Sequence, residues 1–515
     1  MGFEVKNKWG WLVTFNTFLI IMPVTGVLST WGVIFVELQK EFPDLSDLEA
    51  GWIGGLAFGI MFAASPISTG LFKRFGHRII AIIGTILCSI GLLASSFVPS
   101  PHLLFLTYSI LMGVGSNFID NTTLNLVGSY FPRKNSARST CFATLGWSIG
   151  SLALNPGVEK LSTIIGWRGA FQVLSAGLFL LGMIACTTFK PPPHRCLDVL
   201  VDDPAEKQKE KLMPRKQRAS STSSRKKSVI EPMIADKHTI KDYVKMFVQT
   251  IQAPGILLWL FANIWMNLSL IFPFVNMIKF MTTIGIPESQ GAFVLTVVGI
   301  ADLLGRGSSA AFGDSLPFNT IYVYPICNTI MAGATFFLLI VKDIKGMYIF
   351  SAFIGYFIGV VNSMLFKACI DLFGAKILAE AWTLTLLGAG FGIAVGPTVA
   401  GAAYDFTGSF DIAFYVGGGM FALAALFTLM IPFVQRRKQW VPPRTMSRRE
   451  SQAVIKARES VSDNMNSASE TTNEEKSKED MLNEDEESGV FIDVKEKNEK
   501  NVKPNDVVDQ YVWVV

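Results

Sequence analysis

Charge is what this sequence has least of. Asp, Glu, Lys and Arg together make up 17% of its 515 residues, while 50% are hydrophobic, a balance that excludes an ordinary soluble globular chain. The charges also crowd into two stretches, Lys190–Lys245 and the residues after Val434, which leaves the remainder almost free of ions. Histidine is scarcer still. His77, His102, His194 and His238 are the whole complement, each in a loop or at the edge of an apolar run, so no ligand cluster exists there for intramembrane metal chemistry. The six cysteines (Cys88, Cys141, Cys186, Cys196, Cys327 and Cys369) follow no regular spacing, which argues against a disulfide framework or a zinc site and for packing residues. A G-x-x-x-x-G-K-[ST] phosphate cradle is missing, and with it the signature of an ATP-driven pump. These absences point away from an enzyme and from any cofactor.

What is present is apolar length. Runs of roughly 18 or more mostly apolar residues recur, each able to cross a hydrocarbon core of about 30 Å as a helix. Twelve candidate spans begin near Gly10, Trp52, Ile79, Leu103, Ser139 and Phe171, then near Ile256, Gly291, Thr320, Met347, Leu378 and Phe410. The first run is too long for a signal-peptide core of roughly 7–15 residues and reads as a span. The expected fold class is all-α: a membrane protein of about twelve transmembrane helices in two six-helix bundles. The expected organisation is one bundle over 1–190, a cytosolic disordered linker over 191–248, a second bundle over 249–436, and a cytosolic disordered tail over 437–515. Linker and tail are too polar to offset the entropy of ordering them. A six-plus-six arrangement suits a transporter built of two pseudo-repeats.

Short basic loops set the orientation. FKRFGHR (Phe72–Arg78), FPRKNSAR (Phe131–Arg138) and QRRK (Gln435–Lys438) alternate with acidic or neutral loops such as EFPDLSDLEA (Glu41–Ala50). The positive-inside rule then places both termini in the cytosol, with Lys342 and Lys345 as mild exceptions. The net charge of +4 reflects these loops and is no nucleic-acid signal. Ser228 after RKK and Ser451 after RRE resemble basophilic kinase sites. The sequons at Asn121 and Asn267 fall inside spans, where no glycan is expected.

Charged residues inside spans are the sharpest clues, because each costs about 2.5–3.5 kcal/mol or more at a helix centre. Asp302 and Arg306, four apart in the eighth span, share a helical face within ion-pair reach. They form either a structural pair that pins helices or a substrate and proton site. In the second reading Arg306 is the fixed positive charge for an anion, and Asp302 takes up a proton when the pair opens. The two readings are compatible. Asp120 lies in a polar stripe of the fourth span with Asn117, Asn121, Thr122, Thr123 and Asn125, which lines a water-filled path or bonds another helix. Lys367 and Asp371 read as a structural pair. Small residues at four-residue spacing in GWIGGLAFGI (Gly51–Ile60), GWSIGS (Gly146–Ser151) and GAGFGIAVGPTVAG (Gly388–Gly401) suit close helix approach. Pro23, Pro273 and Pro397 are candidate kinks.

With these stretches in order, the chain from about Trp9 to Phe433 resembles the monocarboxylate transporter family of the major facilitators. The resemblance is carried by WGW (Trp9–Trp11), GSYFPRKNSAR (Gly128–Arg138), GWRGAF (Gly166–Phe171), the D-x-x-x-R of Asp302 and Arg306, KACIDLFG (Lys367–Gly374) and the GP of Gly396–Pro397. It implies alternating-access transport of a small monocarboxylate with a proton across the plasma membrane, and escort by a single-span immunoglobulin-type glycoprotein such as basigin. The chain also departs from the family's pattern. Ser29 stands where the proton-coupled lactate carriers have a lysine, and that lysine is also missing from family members that carry aromatic amino acids and thyroid hormones without a proton. Lys6-Asn7-Lys8 replaces the acidic residue before WGW. Lys73 stands where the general facilitator motif has an Asp. Ile358, beside Tyr356 and Phe357, occupies a position often aromatic in lactate carriers.

The sequence therefore supports three functional readings: a proton-linked monocarboxylate carrier, a facilitative carrier of aromatic amino acids or related acids without proton coupling, and a transport-inactive solute receptor. The candidate substrate and proton residues are Arg306, Asp302, Asp120, Asn121, Ser29 and Phe357. The C-terminal YVWVV resembles a PDZ-domain ligand, in which an added strand ends on its carboxylate.

Overall fold

A computed structural model describes residues 8–43, 47–132, 135–192, 240–340, 343–374, 377–407 and 411–437. Ser228, Ser451, Lys6 and the YVWVV peptide lie outside the described residues. Apolar runs become helices because only a helix satisfies every backbone N–H and C=O without water. The first run forms α1 (Lys8–Ser29) and α2 (Trp31–Glu41), broken at Thr30. The second forms α3 (Asp47–Ala63) and α4 (Ser65–Phe75), bent by 44° at Ala64, where Pro66 sits in the first turn of the new helix. Then come α5 (His77–Ser95) and a π-helical segment, Phe105–Met112, that runs into α6 (Gly113–Tyr130). The 51-residue α7 (Ser136–Cys186) leaves helical geometry at Gly166, with φ 76° and ψ 163°. That left-handed corner requires a glycine, and it joins the fifth and sixth expected spans with no loop between them.

After the central loop come α8 (Ile240–Ile251), α9 (Ile256–Thr283), α10 (Glu288–Phe312), α11 (Val323–Phe337), α12 (Ile344–Phe373), α13 (Leu378–Thr407) and α14 (Asp411–Arg437). Helix α8 begins inside the stretch expected to be a disordered linker. Its apolar Val244, Phe247, Val248 and Ile251 recur at helical spacing among Lys241, Asp242 and Lys245, a pattern its charges conceal. Among the described residues eight helices are long and apolar enough to cross a membrane, or nine with the bent pair α3–α4. Helix α7 merges two expected spans, α11 has only 15 residues, and α9 counts only as the shorter apolar stretch Ile256–Leu270 among the described residues.

Helices before and after the central loop pack mainly among themselves, α1 on α7 and α10 on α12 most extensively. Large apolar side chains such as Ile164, Leu180, Leu304 and Phe433 point outward, as a chain solvated by lipid tails requires. Without a hydrophobic drive between helices in lipid, close packing rests on small residues. A Cβ on Gly359 would collide with the carbonyl of Asp302, and one on Gly305 with the carbonyl of Tyr356. Helices α10 and α12 thus touch backbone to backbone beside the charged pair. The two sequence halves meet where α10 crosses α7 and where α13 lies on α3 and α4.

Candidate functional site

Asp302 and Arg306 lie one turn apart on α10, as their spacing requires. Arg306 Nε is 3.0 Å from Asp302 Oδ2, and Arg306 is only 5% exposed. A pair this buried is expensive unless further hydrogen bonds complete it. Those come from α7. Ser148 donates its hydroxyl to Asp302 Oδ2, and the Thr144 carbonyl accepts from Arg306 Nη1 at 3.5 Å. Arg306 Cζ lies 5.9 Å from the centre of the Trp147 ring, within cation–π range. Thr144, Trp147 and Ser148 stand at i, i+3 and i+4, so one face of α7 receives the pair.

The same Trp147 reaches the third buried charge. Its indole Nε1 donates to Asp120 Oδ1 on α6 at 3.2 Å. Asp120, Asp302 and Arg306 therefore belong to one polar network that joins α6, α7 and α10. Oδ1 of Asp302 is buried and makes no hydrogen bond among the described residues. A guanidinium paired through one carboxylate oxygen can exchange that carboxylate for another, and the displaced acid is then free of its partner. No covalent chemistry is needed for either event.

The other expected site residues sit elsewhere. Asn121, next to Asp120, turns to α4: its amide donates to Ser68 Oγ at 2.7 Å, to Thr69 Oγ1 at 2.9 Å and to the Ser65 carbonyl at 3.3 Å. Neighbouring helical residues project about 100° apart, so Asn121 ties helices together while Asp120 faces the network. Ser29 ends α1, where its hydroxyl donates to the Gly26 carbonyl at 2.7 Å. Phe357 on α12 is half-buried, its ring 5.3 Å from Tyr356 and 6.3 Å from Phe353. Tyr356 shares a 3.0 Å hydroxyl bond with Ser308, two residues beyond Arg306. Lys367 pairs with Asp371, which also accepts from Thr320 at 2.7 Å. A separate polar cavity of about 710 Å³ opens beside that pair and Asp314.

Sequence reasoning missed Thr144, Trp147 and Ser148. GWSIGS was read for its glycines, although a tryptophan and a serine in a span are themselves polar handles needing partners.

Known proteins share this fold. The model of the Major Facilitator Superfamily matches residues 11–265 and 257–465, and the chain belongs to that superfamily. It is a multi-pass membrane protein and a secondary transporter, not an enzyme. Within the superfamily it is similar to monocarboxylate transporters. It is 26% identical over 425 residues to monocarboxylate transporter 2 of Homo sapiens, covering 82% of this chain and 85% of that protein. It is 24% identical over 453 residues to monocarboxylate transporter 7 of Homo sapiens, covering 82% and 86%. In solved structures the fold is similar to the proton:xylose symporter XylE, with a TM-score of 0.60 at 16% identity over 83% of this chain and 96% of that one. The E. coli fucose:proton symporter FucP gives a TM-score of 0.57 at 13% identity, over 84% and 99%.

Proposed function

We propose that this chain carries a small monocarboxylate together with a proton across the plasma membrane by alternating access, with both termini in the cytosol. The observation that carries the reading is the buried Asp302–Arg306 pair, held on α10 and completed by Ser148 and Thr144 from α7. The substrate carboxylate competes with Asp302 for the guanidinium. Asp302, released from Arg306, binds a proton rather than stay ionised and unpaired in a medium of low dielectric. Substrate and proton then cancel the charge that would otherwise oppose movement of the cavity contents. Because the pair belongs to α10 and its completing groups to α7, rocking of one half against the other makes and breaks the site. The curated relatives named monocarboxylate transporters support the substrate class, and the solved proton symporters of like fold support proton linkage by analogy only.

One observation favours a carrier without proton coupling. Ser29 supplies no cation, and its hydroxyl is committed within α1. The test is uptake of labelled lactate, pyruvate, ketone bodies and aromatic amino acids in oocytes, with and without an imposed proton gradient. Arg306→Ala is expected to lower uptake on the order of a hundredfold at unchanged surface level, the scale of losing a buried charged partner. Wild-type uptake by that variant would end the site assignment, and uptake indifferent to the gradient would end proton coupling.

A further inference from the structure

Helix α8, which leads the central loop into α9, is inverted in polarity over its last turns. Its inner side carries Thr250, fully buried, whose hydroxyl donates to the Met246 carbonyl of the same helix at 2.9 Å. Its outer side carries Val248, 49% exposed, and Ile251, 37% exposed. A helix facing water would place these residues the other way round, with aliphatic groups inward and hydroxyls outward. Phe247 fastens α8 to the core, and the helix touches α9 and α13. Val248 and Ile251 take no part in that fastening. They form a second apolar stripe, turned away from the protein.

What the stripe faces follows from the surface it continues. The chain turns at Gly255, φ 86°, a left-handed corner where a Cβ would lie 3.0 Å from Ile431 Cγ2 on α14. The same end of α14 is tied to the end of α12, where Gln435 Nε2 donates to the Leu372 carbonyl at 3.2 Å. Beyond the corner α9 turns Leu257 and Phe261 outward, and α14 turns Met430 and Phe433 outward. The Phe261 ring lies 6.2 Å from that of Phe427 on α14, so the two spans share one lipid-facing surface. Val248 and Ile251 stand at the rim of that surface, where α9 begins. The charges of α8 fit the same place. Lys245 precedes Val248 by three residues and Lys241 by seven, spacings that return to one side of a helix. Lysine stems lie along apolar surface while their ammonium groups reach for polar headgroups. An aliphatic stripe bordered by lysines is the pattern of a helix seated in the membrane surface and drawn to anionic lipid.

We propose that α8 is an interfacial helix whose Val248–Ile251 stripe seats in the adjoining leaflet while Lys241 and Lys245 bind the headgroups of anionic phospholipids. The occupant of the stripe is lipid, because the stripe prolongs the lipid-facing surface of α9 and α14 and its charges complement a negative membrane surface. The proposal depends on neither the cargo nor the proton.

The test is hydrogen–deuterium exchange on the purified full-length protein in nanodiscs, one set of phosphatidylcholine alone and one containing phosphatidylserine as well. The amides of α8 are expected to exchange about tenfold more slowly in the mixed bilayer, the scale of two lysines at an anionic surface. Exchange in α9 and α12 should be the same in both. Lys241→Gln combined with Lys245→Gln should erase the difference between the two lipids. Val248→Gln combined with Ile251→Gln should raise exchange of α8 severalfold in both lipids. Glutamine is a good helix former, so that rise reads lost seating rather than lost propensity, and unchanged protection of α9 and α12 shows the bundle intact. Exchange of α8 indifferent to phosphatidylserine would overturn the headgroup contact, and indifference to the Val248 and Ile251 substitutions would overturn the seating. Protection that appears only in discs holding two copies would assign the stripe to a second chain and overturn the lipid assignment.

Discussion

Adjacent residues of α6 contrast two kinds of polar contact. Asn121 faces α4 and spends its amide on serine and threonine hydroxyls within the first half of the chain. Asp120 faces α7 and enters, through Trp147, a network that crosses to α10 in the second half. Amide and hydroxyl bonds carry no net charge, and neither substrate nor proton competes for them strongly. Ionic contacts are costly when buried, yet a proton or an anion can switch them. Within this half the amide tie joins α6 to α4, and between halves the contacts engage ionised groups, which the proposed cycle would make and break.

That contrast is open to test. Asn121→Leu should cost about 1–3 kcal/mol of stability, because it removes the amide's bonds to α4 and the oxygen that accepts from the Asn125 amide. The measurement is the melting temperature in detergent, and the half-saturating substrate concentration of surviving protein should not move. If substrate affinity changed while melting did not, Asn121 would belong to the transport site. Trp147→Phe should behave the opposite way. It keeps a ring near Arg306 and removes only the donor to Asp120, so substrate affinity should weaken severalfold, on the scale of about 1 kcal/mol, with melting unchanged. An equal loss from Asn121→Leu and Trp147→Phe in both measurements would erase the distinction.

The smallest effect concerns an ion pair inside the first half and away from the path. Glu41, at the end of α2, accepts from Arg168 at 2.6 Å and from Trp167 Nε1 at 2.7 Å. The Arg168 guanidinium holds this carboxyl below its ordinary range, the Trp167 hydrogen bond assists, and partial burial opposes them. A lowered folded value means the contact stabilises above the ordinary carboxylate range, and the contribution is lost as pH falls through and below it. Both groups are well exposed, so the expected shift in melting is slight. Glu41→Gln should flatten the acid side of the melting profile and leave uptake unchanged. A transport defect there would show that ion pairs within this half also serve the cycle.

Much of the fold was legible in sequence because hydropathy reports each span locally. The D-x-x-x-R spacing likewise placed Asp302 and Arg306 on one face without knowledge of any neighbour. Partners were not legible. Ser148 and Asp302 are 154 residues apart, and Lys73 and Glu380 are 307 apart, beyond any periodicity. Lys73 looked like a departure from a motif until Glu380 was seen opposite it. Helix α8 was hidden by its lysines, and the corner at Gly166 by the expectation that spans are joined by loops. Asn121 was grouped with Asp120 because adjacency in sequence does not reveal that their side chains leave α6 in different directions.

The glycine contacts between α10 and α12 have a mechanical consequence. With Gly359 seated on the Asp302 carbonyl and Gly305 on that of Tyr356, neither helix can slide or tilt without dragging the other. The charged pair and the aromatic residues Tyr356 and Phe357 therefore travel as one plate. On the proposed site reading, cargo gripped at its charged end would feel the apolar wall arrive at the same instant, and a bulkier residue at either glycine would uncouple grip from enclosure.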